Sequence, residues 1–129
     1  MQKKVSTETA PAAIGPYSQA VSWGDLVFCS GQIPLNPKTM VVEAEGMQAQ
    51  TNQVLKNLSE VLKAAGSSPS KVLKTTVFVT DLGKFSELNQ VYEEFFKAAG
   101  VSVPPARSTV EVKALPKGVL VEIEAIAFR

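Results

Sequence analysis

Residues 119–128 read Val119-Leu120-Val121-Glu122-Ile123-Glu124-Ala125-Ile126-Ala127-Phe128. Every second position is small or aliphatic, which is the period of a strand with one buried face. Val119, Val121, Ile123, Ala125 and Ala127 share that face, and Leu120, Glu122, Glu124, Ile126 and Phe128 share the other. Leu115-Pro116-Lys117-Gly118 turns the chain immediately upstream. Before it, residues 107–115 set Ser108, Val110, Val112 and Ala114 against Arg107, Thr109, Glu111 and Lys113, a second alternating strand.

Two helices lie further out. Residues 84–99 carry Phe85, Leu88, Tyr92, Phe95, Phe96 and Ala99 on one side, with Gly100 as a stop. Residues 47–65 place Met47, Thr51, Val54, Leu55, Leu58, Val61, Leu62 and Ala65 on one stripe, closed by Gly66. Between the helices, residues 72–80 are rich in Val, Thr and Phe and predict a strand. Gly24-Asp25 separates strands at 21–23 and 26–30, and residues 4–6 form a short first strand. Residues 10–16 and 31–39 read as loops. The pattern is α+β, with two helices covering one face of a sheet.

That arrangement leaves the second face uncovered. If Val121 and Ile123 point to the helices, the open face carries Leu120, Ile126 and Phe128. Apolar residues on such a face predict a partner surface, and no third layer exists in the chain to cover it. The expectation is a homo-oligomer built on the helix-free face.

Composition narrows the chemistry. The 129 residues suit one domain spanning 1–129. No repeat, low-complexity stretch or linker divides it. There is no histidine, and Cys29 is the single cysteine. Ser-His-Asp and Cys-His nucleophiles, histidine metal sites and internal disulfides are therefore excluded. Thirteen basic against twelve acidic residues argue against a dedicated nucleic-acid binder. No apolar run approaches the roughly 20 residues of a membrane helix, and the first eight residues lack a secretory signal. One free thiol fits a reducing compartment.

Arg107 opens a strand after Pro104-Pro105-Ala106. A guanidinium there can present its planar fork to a carboxylate, or form a cross-strand ion pair or an exposed edge charge. Glu122 sits between Val121 and Ile123. A carboxylate among apolar groups has a raised pKa suited to proton transfer, though it can equally be solvated or paired with Arg107. Tyr17 and Ser18 follow Gly15-Pro16 in a shaped loop. Ser30 ends a strand, and Gly31 permits close approach to the backbone. Asn89 lies on the second helix, where it faces a cleft or solvent. Cys29 reads as a small buried strand residue. No phosphate loop, metal cluster or dinucleotide fingerprint is present.

Several segments together resemble the RidA family, the reactive intermediate deaminases also called the YjgF family. They are residues 10–19 (Ala-Pro-Ala-Ala-Ile-Gly-Pro-Tyr-Ser-Gln), Ser30-Gly31-Gln32-Ile33-Pro34, residues 72–82 with Asn89, and Pro105-Ala106-Arg107-Ser108. Leu115-Pro116-Lys117-Gly118 and Val121-Glu122-Ile123-Glu124-Ala125 complete the pattern over nearly the whole chain. The resemblance implies a chorismate-mutase-like fold with a mixed sheet. It also implies a homotrimer with active sites between adjacent subunits. It implies hydrolysis of 2-enamine and 2-imine acids, such as 2-aminoacrylate, to 2-keto acids and ammonia, with no cofactor and no metal. Arg107 would then bind the substrate carboxylate and Glu122 would activate water. Tyr17, Ser30, Gly31, Asn89 and Thr109 would line the cleft. Thr109 stands where many members have Cys, which makes it a pocket wall and removes any thiol role. The expected location is the cytoplasm, or the mitochondrial matrix for a processed chain. The competing reading is a non-enzymatic binding or regulatory member of the family, with ribonuclease-like, translation-inhibiting or chaperone-like activity. The presence of both Arg107 and Glu122 favours the enzyme.

Overall fold

A computed structural model describes all 129 residues. The strands are β1 (Lys3–Val5), β2 (Ala20–Trp23), β3 (Leu26–Gln32), β4 (Val72–Val79), β5 (Ala106–Glu111) and β6 (Val121–Phe128). The helices are α1 (Gly46–Ala64) and α2 (Phe85–Ala98). One six-stranded sheet has the order β1-β2-β3-β6-β4-β5. The C-terminal strand β6 is central, antiparallel to both β3 and β4. Only β4 and β5 run parallel, with α2 in the connection between them, as a parallel pair requires a long crossover. The sheet is therefore mixed.

The alternation along β6 holds. Val119, Val121, Ile123, Ala125 and Ala127 are all buried, while Leu120, Glu122 and Ile126 are half-buried and Glu124 and Phe128 exposed. The buried side packs against α1, whose apolar stripe is fully buried from Met47 to Leu62. Each such aliphatic side chain contributes about 1.5–3 kcal/mol by leaving water. Gln50 and Asn57 are buried in the same helix and act as ties. The Gln50 Oε1 accepts the Leu120 N–H at 2.8 Å, and the Asn57 amide donates to the carbonyls of Ile33 and Leu35. Both helices end in the same glycine-based motif. Ser67 N donates to the Leu62 carbonyl past Gly66 (φ 79°), and Val101 N donates to the Phe96 carbonyl past Gly100 (φ 75°).

Four expectations need correction. The strand expected to end at Ser30 runs on through Gly31 to Gln32, because Gln32 still pairs with Ile123 of β6. The strand expected over 107–115 stops at Glu111, because β4 ends at Val79 and leaves nothing beyond Val112 to pair with. The helix expected to start at Lys84 begins at Phe85, after a 3-10 turn at Leu82–Lys84 capped by the Asp81 carboxylate. Ala99, assigned to the buried side of α2, is exposed at its C-cap.

The face opposite the helices has no layer over it. Leu26, Phe28, Leu73, Val110 and Phe128 on the sheet are all between 38% and 47% exposed. No helix is long and apolar enough to cross a membrane.

Candidate active site

Strand register divides the candidate residues between the two faces of the sheet. Arg107 is paired with Thr75, and Thr75 with Ala125, so Arg107 lies on the helix side. Glu122 is paired with Phe78, one step out of phase, and lies on the open side. The two residues do not meet within one chain. The only ion pair in the protein is the exposed Lys97–Glu93 contact on α2, so the pairing of Arg107 with Glu122 is not made.

On the helix side, Arg107 is held by α2. Its Nη1 donates to the Asn89 Oδ1 at 2.8 Å. The guanidinium carbon lies 4.8 Å from the Tyr92 ring centroid and 5.3 Å from that of Phe85. Phe85, Asn89 and Tyr92 are spaced four and three residues apart and so project from one side of α2. Arg107 borders two cavities. One of about 670 Å³ lies between α2 and residues 101–105, and one of about 440 Å³ is shared with Leu82, Phe85 and Thr109. The Thr109 hydroxyl is buried and has no partner, an orphan polar group on a residue that lines the second cavity with Arg107. Asn89 and Thr109 therefore do belong with Arg107.

On the open side, Tyr17, Ser30, Gly31 and Glu122 line a different cavity of about 610 Å³, together with Lys117 and Glu124. A bulge shapes it. Cys29 pairs with Ala125 and Gln32 with Ile123, so Ser30 and Gly31 together oppose the single position Glu124. The Ser30 hydroxyl donates to the Ser18 carbonyl at 2.6 Å, and its N–H to the Gln19 carbonyl. Gln19 is buried and pins the N-terminal segment through the Thr7 N–H and the Thr7 and Pro11 carbonyls. This places the loop bearing Tyr17, whose hydroxyl accepts the Ile14 N–H.

Gly31 lines this cavity and has a further close neighbour. A Cβ added there would stand 2.8 Å from Cδ of Glu122, so what approaches its backbone is the Glu122 carboxyl group itself. Burial raises the pKa of Glu122 above its ordinary value, and the neighbouring charge of Glu124 raises it further. Lys117, in the turn before β6, holds φ 58°, a left-handed conformation that costs a non-glycine residue about 1 kcal/mol or more. Cys29 is buried and its thiol pushed up to about 12, which removes it as a nucleophile at neutral pH. No three Cys, Asp or Glu side chains converge in a way that could hold a metal ion.

Tyr92, Phe85 and Thr75 were not among the sequence candidates. Their signal was present as a spacing on α2 around Asn89, but an aromatic stripe on a helix reads first as core.

The chain is similar to well-described proteins over its whole length. A family model described as Endoribonuclease L-PSP matches residues 7–129. A 2-iminobutanoate/2-iminopropanoate deaminase of Salmonella typhimurium is 52% identical over 129 residues, covering 100% of this chain and 99% of the relative. A RutC family protein of Sinorhizobium fredii is 51% identical over 127 residues, covering 98% and 97%. Among solved structures, the YjgF gene product of Escherichia coli superposes with a TM-score of 0.94 at 51% identity, covering 98% of each chain. Escherichia coli TdcF with bound serine superposes at 0.93 with 46% identity, again covering 98% of each. Identity near one half over the full length, with the same fold, places this chain in the Endoribonuclease L-PSP family, the group of the YjgF and RidA proteins.

Proposed function

We propose that the protein hydrolyses 2-imino and 2-enamino acids, such as 2-iminobutanoate and 2-iminopropanoate, to 2-keto acids and ammonia, as a homotrimer with sites between subunits. The observation that carries this reading is the division of one chemical set over two faces. A held guanidinium sits at the β5 edge, and a carboxylate of raised pKa sits on the uncovered face. Neither half suffices alone. A second copy whose open-side cavity abuts the exposed β5 edge can bring its own Glu122 to the Arg107 of the first. The deaminase name carried by relatives about half identical to this chain supports the substrate class.

In such a site Arg107 binds the substrate carboxylate. Asn89 takes one of its donors and leaves others free. A charge-assisted contact of this kind contributes about 1.5–3 kcal/mol. Glu122 accepts a proton from water as the water oxygen bonds to the imine carbon, and the C=N electron pair moves to nitrogen. The proton passes to that nitrogen. The new hydroxyl then gives up its proton, which Glu122 carries to the amine nitrogen, and the C–N bond breaks as the keto carbonyl forms, giving one keto acid and one ammonia per water. The imine carbon is already electrophilic, so a positioned water and a proton carrier are enough. Tyr17, Ser30, Gly31 and Thr109 shape the cleft.

The test couples an enzyme that releases 2-aminoacrylate to measured keto-acid formation. Arg107→Ala should lower kcat/KM by about 10–150-fold, the equivalent of the lost contact, and Arg107→Lys should recover only part. Unchanged acceleration in both variants would refute the anchor. RNA binding by the same protein that survives high salt would instead favour the family's ribonuclease reading, since phosphate contacts alone weaken steeply with salt.

A further inference from the structure

We infer that Tyr92 is a positioning residue, whose ring, set by Thr75, fixes the plane of the Arg107 guanidinium. The inference rests on the carboxylate-anchor reading of Arg107.

Three observations converge on it. The Tyr92 ring centroid is 4.8 Å from the guanidinium carbon, the closer of its two aromatic neighbours. The Tyr92 hydroxyl shares a hydrogen bond of 2.7 Å with the Thr75 hydroxyl, and Thr75 is fully buried. Thr75 is also the register partner of Arg107 across the parallel β4–β5 pair. One strand position thus carries the guanidinium and its neighbour carries the group that orients the ring. On its other side Tyr92 packs on Phe96, with centroids 4.8 Å apart, so the ring has little room to turn. Asn89 then fixes one edge of the guanidinium in that plane.

An arginine side chain has four rotatable bonds and is ordinarily mobile. A guanidinium on an aromatic face is attracted to the ring quadrupole while its in-plane N–H donors stay free. The arrangement thus orders the side chain before substrate arrives. A carboxylate needs coplanar donors, so the loss of this support should weaken binding more than turnover.

The experiment uses the full-length protein and 2-oxobutanoate, the keto acid that hydrolysis of 2-iminobutanoate would give. Binding is followed by calorimetry, kinetics by the coupled assay, and the Arg107 Nε–H resonance by NMR. Tyr92→Leu should raise KM and the 2-oxobutanoate Kd about fivefold to tenfold, with kcat changed less than twofold. It should also remove the ring-current shift of the Nε–H signal. Tyr92→Phe keeps the ring but loses the Thr75 hydrogen bond, and should recover KM only in part, to between the Tyr92→Leu and parent values. If Tyr92→Leu fails to fold, Thr75→Val, which removes the hydroxyl that orients the Tyr92 ring, should raise KM in the same direction. Parent-like binding in a folded Tyr92→Leu protein, or in Thr75→Val if that variant stands in for it, overturns the inference. An Arg107→Ala control separates the two levels. If it binds 2-oxobutanoate normally, the anchor reading fails; if it does not bind while Tyr92→Leu does, only the role of Tyr92 fails.

Discussion

The two faces of the sheet treat their charged residues in opposite ways. Beneath α2, Arg107 is surrounded by neutral partners that hold it: an amide oxygen, two rings and a buried hydroxyl pair. On the open face, Glu122 has a glycine backbone against it, a second carboxylate nearby and a raised pKa. On the proposed function one half serves fixed recognition, because a planar guanidinium fork needs orientation to meet a carboxylate. The other half then serves proton transfer, because a desolvated carboxylate of raised pKa takes up a proton more readily than a solvated one. The backbone follows the same division. Regular register positions Arg107, whereas a bulge at Ser30-Gly31 and a left-handed Lys117 surround Glu122.

The most severe way to break this division is to prevent the faces of two copies from meeting. Phe28→Asp puts a charge in the middle of the apolar open face. It should reduce the mass seen by light scattering to that of a monomer and abolish deaminase activity. A fully active monomer would show that one chain contains a whole site.

Glu122→Gln tests the proton-handling half alone. It should lower kcat by about 10²–10⁴-fold, the usual range for a general acid–base group, with 2-oxobutanoate binding nearly unchanged. It should also stabilise the fold at pH 7. The raised pKa means that the folded state binds the proton more tightly than the unfolded state, so stability falls as pH rises through that pKa. The difference in Tm between Glu122→Gln and the parent should be near zero below the ordinary carboxylate range and open in favour of the variant at pH 7. A lower Tm for the variant at pH 7 would contradict the sign.

Gly31→Ala tests the confinement of the same carboxyl group without altering any charge. The new methyl would overlap Cδ of Glu122, so one of them must shift. A displacement of about 1 Å at a reacting group can cost up to 10²-fold, and a kcat loss of about tenfold with KM held is expected. Unchanged kcat would place Glu122 outside the proton transfers.

Glu124→Gln should have the smallest effect. Removing that charge lowers the pKa of Glu122, so the acid limb of the pH–rate profile moves to lower pH while the plateau stays level. A limb moving upward would mean that Glu124 acts through something other than its charge.

Both halves of the site were legible in the sequence as residues, but not as a geometry. The alternation from Val119 to Phe128 assigned Glu122 to the open face, because burial on one side of β6 is nearly complete. The face of Arg107 could not be assigned in the same way. β5 is an edge strand whose two sides are both partly exposed, and its phase comes only from pairing with Thr75. Gly31 stood out as a glycine, while the group that needs its bareness lies 91 positions away across the sheet. Tyr92 and Thr75 were hidden because a buried aromatic and a strand threonine have ordinary packing explanations. Their hydrogen bond spans two elements that no local pattern connects.

The most direct test of the divided site is complementation between two impaired chains. Arg107→Ala lacks the anchor and Glu122→Gln lacks the base, and each alone should keep at most about a tenth of the parent activity. Co-expressed in equal amounts, they should assemble into mixed trimers if the proposed assembly holds. A site is whole only where a Glu122→Gln chain supplies Arg107 and an adjacent Arg107→Ala chain supplies Glu122. Random assembly into cyclic trimers makes about one site in four whole, so activity should return to about a quarter of the parent level. A mixture no more active than its two components would contradict the account, because Arg107 and Glu122 would then not act across a subunit boundary.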